Sequence, residues 1–274
     1  MNLERFSSAA LVVAHPDDEI LWFSSIFQQV RQIFITFLEA PGQPIWSEGR
    51  RLASAQFPMS NVEFIGLQES MTFKCADWSN PVLSPAGLKL NGRQTTERLP
   101  GCDPDRYETN FLALRNHLKT ALKGYATVVT HNPWGEYGHE DHVQVYRAVS
   151  SLRAELGFEV WFDNYASDRS AVLMAQILAK TQFHYETLPT QPLATREIEA
   201  LYRKHQCWTW PYDDYCWPPY ESLVRDVDLS KDASHAGATL PINFINVDQA
   251  AMQSRRPGRL EALARRLSDW RRAH

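Results

Sequence analysis

The sequence predicts an α/β protein: a doubly wound, mostly parallel sheet with helices on both faces, followed by an aromatic-rich C-terminal extension. Three observations lead there. Short β-rich runs (Leu11-Val12-Val13, Ile33 to Leu38, Asn61 to Leu67) alternate with stretches of helical periodicity. The same alternation resumes at Thr127 to Thr130 after a long interruption, and Trp and Tyr crowd the last third of the chain. A β-α-β-α-β order opens a Rossmann-like sheet, whose ligands lie beyond the carboxyl ends of its strands.

The first run ends in Ala14-His15-Pro16-Asp17-Asp18-Glu19, from which a helix is expected to about Arg31. Ser47, as N-cap, opens a second helix that reaches Phe57, with Pro58 just beyond. Between Gln68 and Asp105 the pairs Asn80-Pro81, Ser84-Pro85 and Asn91-Gly92 predict a long loop inserted at 68–105. A loop of that length is read as a lid or substrate-facing insertion, or as surface decoration. Phe111, Leu114, Leu118 and Leu122 then mark a helix over Tyr107 to Lys123, which Gly124 stops. After the strand Thr127 to Thr130 follow a helix over Glu140 to Glu155, a strand over Phe158 to Phe162, a helix over Arg169 to Lys180 and a strand over Gln182 to Leu188.

Residues 1–190 are thereby expected to form the α/β domain, with 191–274 as an extension packed on it. That extension opens with a helix over Thr195 to His205. Trp208, Trp210, Tyr212, Tyr215, Trp217 and Tyr220 follow, read as a local mini-core with a sugar-stacking wall as the alternative. Leu260, Leu263, Leu267 and Trp270 make Gly258 to Arg272 an amphipathic helix that docks on the domain, with membrane-surface contact as the sharper reading.

With 274 residues, 44% hydrophobic and 22% charged, the chain can build one sizeable core. A net charge of -4 and a pI near 6.1 give no basic stripe for nucleic acid, so a small-molecule partner is expected. The start lacks the order of a secretory signal, and no run approaches the roughly 18 apolar residues of a membrane span. Cys75, Cys102, Cys207 and Cys216 form no C-x-x-C pair and read as reduced thiols of a cytoplasmic protein, Cys207 to Cys216 being the one bridge weighed. No feature specifies an oligomeric state.

His15, Asp17 and Asp18 follow a strand directly, and such nitrogen and oxygen donors point to a divalent metal. A dinucleotide site would need glycines in that turn, and three acidic side chains there repel a phosphate. The bland reading is that Asp17 or Asp18 caps the helix and His15 packs. A second corner, His131-Asn132-Pro133-Trp134-Gly135-Glu136-Tyr137-Gly138-His139-Glu140-Asp141-His142, also follows a strand. His139 and His142 share one helix face, and either can join His15 and Asp18 around an ion if the two strands are neighbours.

The Ala-His-Pro-Asp-Asp-Glu corner and the Gly-x-Tyr-Gly-His-x-Asp-His stretch resemble the PIG-L/LmbE family of zinc-dependent N-deacetylases, over roughly Leu11 to Leu188. The resemblance implies His15, Asp18 and His142 as metal ligands around one zinc per chain, with Fe2+ as another divalent candidate. It makes Asp17 the general base, His139 an acid or electrostatic group, Tyr137 a donor to the oxyanion, and Asp141 a carboxylate that tunes a neighbouring histidine; to act as an acid at neutral pH, His139 needs an acidic neighbour such as Asp141 to keep it protonated. Arg50, with Arg51 beside it, falls where the family holds a substrate-binding arginine, and Trp134 is expected to line the pocket. Glu140 stands where proline is common. The implied substrate is an N-acetylated amino sugar or its glycoconjugate. A larger-acyl amidase and a non-catalytic sugar-binding protein are the alternatives.

Overall fold

Four consecutive apolar residues, Ala10–Val13, form β1 and are all buried, the pattern of a strand covered on both faces. The computed structural model describes residues 4–91, 102–178, 184–210, 215–226 and 240–245. In chain order these hold α1 (Glu4–Ser7), β1, α2 (Asp18–Leu21), β2 (Gln32–Glu39), α3 (Pro44–Ala55), β3 (Val62–Gln68), β4 (Leu83–Ser84), β5 (Gly87–Leu88) and α4 (Pro104–Ala121). There follow β6 (Thr127–Thr130), α5 (Glu140–Ser150), α6 (Arg153–Leu156), β7 (Glu159–Phe162), β8 (Tyr165–Ser167), α7 (Ala171–Leu178), β9 (His184–Pro189), α8 (Pro192–Lys204), β10 (Tyr220–Arg225) and β11 (Asn243–Ile245).

Seven strands make one sheet in the order β3-β2-β1-β6-β7-β10-β9. The first five are parallel, while β10 runs antiparallel to both β7 and β9. The fold is therefore α/β with a mostly parallel sheet. Alternation along β1 divides the core: Leu11 and Val13 pack with Ile20, Ala53, Ile198 and Tyr202 of α2, α3 and α8. Ala10, Val12 and Ala14 pack with Leu114 and Leu118 of α4 and Val145 and Val149 of α5. Connections run outward from β1 on one side and from β6 on the other, so the switch point lies between them.

Several local expectations are corrected. The helix after β1 is a single turn, not one reaching Arg31, because Trp22, Phe23, Ile26 and Phe27 enter the core through successive turns. Ser47 is not an N-cap: α3 starts at Pro44, whose missing N–H costs nothing there, and the Ser47 hydroxyl bonds the carbonyls of Ala40 and Gln43. Likewise α4 begins at Pro104, capped by Asp103 accepting from the Arg106 N–H, and the helix expected to reach Glu155 breaks after Ser150. The two short parallel strands β8 and β11, and β10 in the main sheet, are additional to the elements read from sequence. Cys207 is buried and Cys216 exposed, two separate thiols. Tyr212 and the stretch from Gly258 to Arg272 lie outside the described residues. No helix among the described residues is long and apolar enough to cross a membrane.

Two outcomes test this packing. A Cβ on Gly49 of α3 would sit 2.1 Å from the His205 carbonyl oxygen at the end of α8 and 2.9 Å from the Cys207 Cβ. Gly49→Ala should thus cost about 3 kcal/mol of unfolding free energy in urea titrations, by overpacking against backbone. Burial raises the Glu221 carboxyl from 4.5 to about 7, although Ser25 and Tyr165 donate to it. Such a carboxyl is protonated when folded and ionised when unfolded, so its stability contribution is complete below about pH 4.5 and declines as the pH rises toward 7. Wild-type unfolding midpoints should accordingly fall across that window relative to those of Glu221→Gln, which has no such proton to lose.

Candidate metal centre and active site

Because Val12 of β1 stands opposite Thr130 of β6, the chain leaves both strands side by side. The Ala14 N–H donates to Nε2 of His131 at 2.8 Å, extending the ladder by one side chain. Beyond it, the turn His15-Pro16-Asp17-Asp18 folds back so that Asp18 Oδ2 accepts the His15 N–H at 2.7 Å. Asp18 Oδ1 accepts the Trp22 indole N–H at 2.8 Å. Asp17 pays for this turn with a φ of 116°, a left-handed conformation that few side chains tolerate. Glu19 holds it there: Oε2 accepts the Asp17 N–H at 3.0 Å, and Oε1 accepts the Tyr202 hydroxyl of α8 at 2.7 Å. Asp17 starts α2 without a side-chain cap bond, which leaves its carboxylate for other work.

At the second corner, Gly135 (φ 70°) and Glu136 (φ 46°) turn the chain inward, and a Cβ on Gly135 would meet the His139 carbonyl oxygen at 2.6 Å. Glu136 is fully buried. One of its oxygens lies 3.1 Å from Nδ1 of His131 and takes the Asn132 N–H, and the other lies 2.5 Å from Nδ1 of His142. Since Nε2 of His131 already accepts from Ala14, its Nδ1 is the donor to Glu136. His142 donates through Nδ1 in the same way, which turns the lone pair of its Nε2 away from Glu136. That atom is buried, has no hydrogen-bond partner among the described residues, and lies 3.4 Å from Asp18 Oδ1.

His15 repeats the arrangement. Its Nε2 lies 3.3 Å from Asp141 Oδ2 and 3.6 Å from Glu69, and its Nδ1 lies 3.3 Å from Asp18 Oδ2. His15, Asp18 and His142 hence form one set whose ligand atoms lie within 4.8 Å of one another. His15, His139 and Asp141 form a second such set, and His131, Glu136 and His142 a third. Five buried carboxylates, Asp17, Asp18, Glu69, Glu136 and Asp141, gather here with the buried guanidinium of Arg50. The orphaned Nε2 beside buried carboxylates is a donor set that suits zinc.

Electrostatics sort the groups. Burial pulls His142 down. Burial also opposes a charge on His15, but Asp141 and Asp18 outweigh it and push that imidazole up to about 10. Burial tends to raise Asp18, yet His142 and His131 hold it well below the carboxylate range. Asp17 goes the other way, raised by burial and by the charge on Asp18. Tyr137, half-buried with its ring 5.4 Å from that of His142, keeps its proton because burial and the charges of Asp18 and Asp17 push it far up.

Of the residues singled out by sequence, His15, Asp17, Asp18, Tyr137, His139, Asp141 and His142 come together. Arg50 joins them from α3 as the partner of Glu69 at 2.5 Å. Trp134 does not line a pocket: it is fully buried, with its indole N–H on the Tyr165 carbonyl and its ring edge-on to Phe162. Nor does Asp141 keep His139 charged. Its carboxylate serves His15 and Thr72, only its backbone N–H reaches His139 Nδ1, and burial beside His142 and His15 drives His139 far down. Glu140 does more than favour the helix dipole, since its carboxylate accepts the N–H groups of Lys74, Cys75 and Ala76 and the Trp78 indole, pinning the start of the long loop as a wall of the site. Sequence reasoning missed His131, Glu136, Glu69 and Thr209, whose hydroxyl donates to Asp17 Oδ2 at 2.9 Å. Only His131 carried a signal, being the first residue after a strand.

No protein-family profile and no curated protein matches the chain. Among solved structures, the zinc-inhibited form of the teicoplanin deacetylase Orf2 is 13% identical, over 80% of this chain and 97% of that one, with a TM-score of 0.49. A deacetylase–teicoplanin complex is 13% identical over 81% of this chain and 100% of that one, with a TM-score of 0.46. The A40926 pseudoaglycone deacetylase Dbv21 is 12% identical over 80% and 96%, also with a TM-score of 0.46.

The bridging carboxylate offers the sharpest test of the centre. Glu136→Gln should lower zinc affinity by about 10–100-fold in competition with a chromophoric chelator, as loss of a histidine's carboxylate partner does. Unchanged affinity would remove His142 from the ligand set.

Proposed function

We propose that this chain is a zinc-dependent hydrolase that removes the N-acetyl group from an N-acetylated, GlcNAc-like amino sugar or its conjugate. The observation that carries the reading is the bare Nε2 of His142, held by Glu136 beside Asp18 and His15 at the switch point of the sheet. His15, Asp18 and His142 would hold the ion, with Fe2+ as an alternative metal. When bound there, it supplies Lewis-acid polarisation of the acyl carbonyl and acidifies a water from a pKa of about 15.7 to near 7.

The protein groups supply the rest. Asp17, raised toward neutrality and free of the cap bond, takes a proton from the attacking water. As the C–N bond breaks, the same carboxyl returns that proton to the departing amine, giving acetate and the free amino sugar. Tyr137 donates its hydroxyl hydrogen to the developing oxyanion, a contribution of a few kcal/mol. His139, neutral and with Nδ1 occupied by the Asp141 amide, keeps its proton on Nε2 and donates from there. Arg50, paired with Glu69, fixes the far wall and contributes to substrate binding.

Of the rings packed on Tyr137, that of Phe73 is, like Tyr137 itself, only half-buried at a centroid distance of 5.9 Å, and this partly open aromatic pair suits the apolar face of a pyranose. We place the protein in the cytoplasm, with the amino sugar or glycoconjugate as its small-molecule partner.

Incubation with a panel of N-acetylhexosamine conjugates, scored for released acetate, tests the activity, and metal assay should find about one zinc per chain. Asp17→Asn should keep that zinc and lower turnover by about 100- to 10,000-fold, the range of a lost general base. A fully active Asn variant would remove Asp17 from the mechanism, and a wild type inert on every conjugate would remove the deacetylase reading.

A further inference from the structure

We infer that Thr209, on the segment joining α8 to β10, is the positioning residue that aims the Asp17 carboxylate. The inference rests on the assignment of Asp17 as the base. Asp17 Oδ2 accepts the Thr209 hydroxyl at 2.9 Å and the Thr209 N–H at 3.3 Å, from a residue 192 positions away in the chain. Oδ1 makes no hydrogen bond among the described residues. Both donors thus converge on one oxygen and leave the other to receive a proton. The terminal torsion of an aspartate is broad and roughly two-fold, so without a donor the plane of the carboxylate is weakly determined. A hydroxyl and an amide on the same oxygen determine it.

The segment that carries Thr209 is itself clamped to the corner it serves. On one side, the Cys207 N–H donates to the Tyr202 carbonyl at 3.0 Å, and the Cys207 side chain fills the space that the absent Cβ of Gly49 leaves. On the other, the Trp210 ring packs edge-on to Trp22 at 5.5 Å and to Tyr137 at 5.7 Å. Further on, the Trp217 indole donates to the Ile20 carbonyl at 2.6 Å and the Tyr215 hydroxyl to the Leu21 carbonyl at 3.2 Å. Of these anchors, Ile20 and Leu21 lie on α2, immediately after Asp17, and Tyr202 bonds Glu19 of the same helix. Tyr202, next to Cys207 in this clamp, also holds Glu19, which fixes the Asp17 backbone. The aromatic stretch therefore reaches Asp17 through its one small hydroxyl, and its rings set where that hydroxyl stands.

The test compares Thr209→Val, which keeps the shape and loses the hydroxyl, with Thr209→Ser, which keeps the hydroxyl. Thr209→Ala serves as the second deletion should the valine not fold. On a conjugate that wild type deacetylates, Val or Ala should lower kcat about tenfold, as expected for a lost hydrogen bond to a charged group. KM and zinc content should stay unchanged, and Ser should restore kcat to within about twofold. Crystal structures of the same variants read the positioning without turnover: the Asp17 carboxylate should be rotated in Val or Ala and in place in Ser. If wild type releases no acetate from any conjugate, the proposed activity fails and the crystallographic comparison alone decides the role of Thr209. An unmoved carboxylate in Val and Ala, or an equal loss of kcat in Ser and Val, overturns the inference.

Discussion

The Glu136 carboxylate, shared between His131 and His142, is the interaction on which the rest of the centre depends. A histidine offers one lone pair or another according to which nitrogen carries its proton, and only an acceptor of fixed position makes that choice permanent. Glu136 makes it twice. By accepting the Nδ1–H of His131 it leaves Nε2 to accept the Ala14 amide, which ties the two strand ends together. By accepting the Nδ1–H of His142 it leaves the second Nε2 for the candidate ion site. Strand pairing and ligand geometry share one buried anion, itself set by the turn between Gly135 and Gly138.

Burying that anion is costly, and the surroundings show how the cost is met. Every carboxylate in the cluster is matched to its own donors. Asp18 takes the His15 amide and the Trp22 indole, Glu19 the Asp17 amide and the Tyr202 hydroxyl, Asp141 the Thr72 hydroxyl, and Glu69 the Arg50 guanidinium. Half of these donors, those of Tyr202, Thr72 and Arg50, come from elements distant in sequence. The charges are hence not merely tolerated inside the sheet's edge, because they join α3, α8 and the 68–105 connection to it.

This division explains what could be read from the chain alone. The central parallel strands were legible because burial on both faces favours apolar and β-branched runs, as in Ala10–Val13 and Thr127–Thr130. β10 was not, since Glu221 and Ser222 interrupt it and only contact with β9 and Tyr165 shows why they are tolerated inside. The short α2 was misread because Trp22, Phe23, Ile26 and Phe27 have helical spacing while the core takes them in turns. Within the site, His15, Asp17, Asp18 and His142 announce themselves as local strings of ligand-bearing residues. Glu136 and Thr209 do not, because one acts through a tautomer and the other across most of the chain.

The place of β10 bears on how the molecule is made. β9 reaches the main sheet only through β10, which lies between it and β7. During synthesis the five parallel strands are complete once Phe162 has emerged, but the outer flank of β7 stays open until residues beyond Tyr220 arrive. An open strand edge is a template for pairing with another chain, so for that interval the nascent protein is exposed to mispairing. The segment between α8 and β10 is delivered in the same late step. Closure of the sheet and the arrival of Thr209 at Asp17 thereby fall in the same late interval of the chain's synthesis.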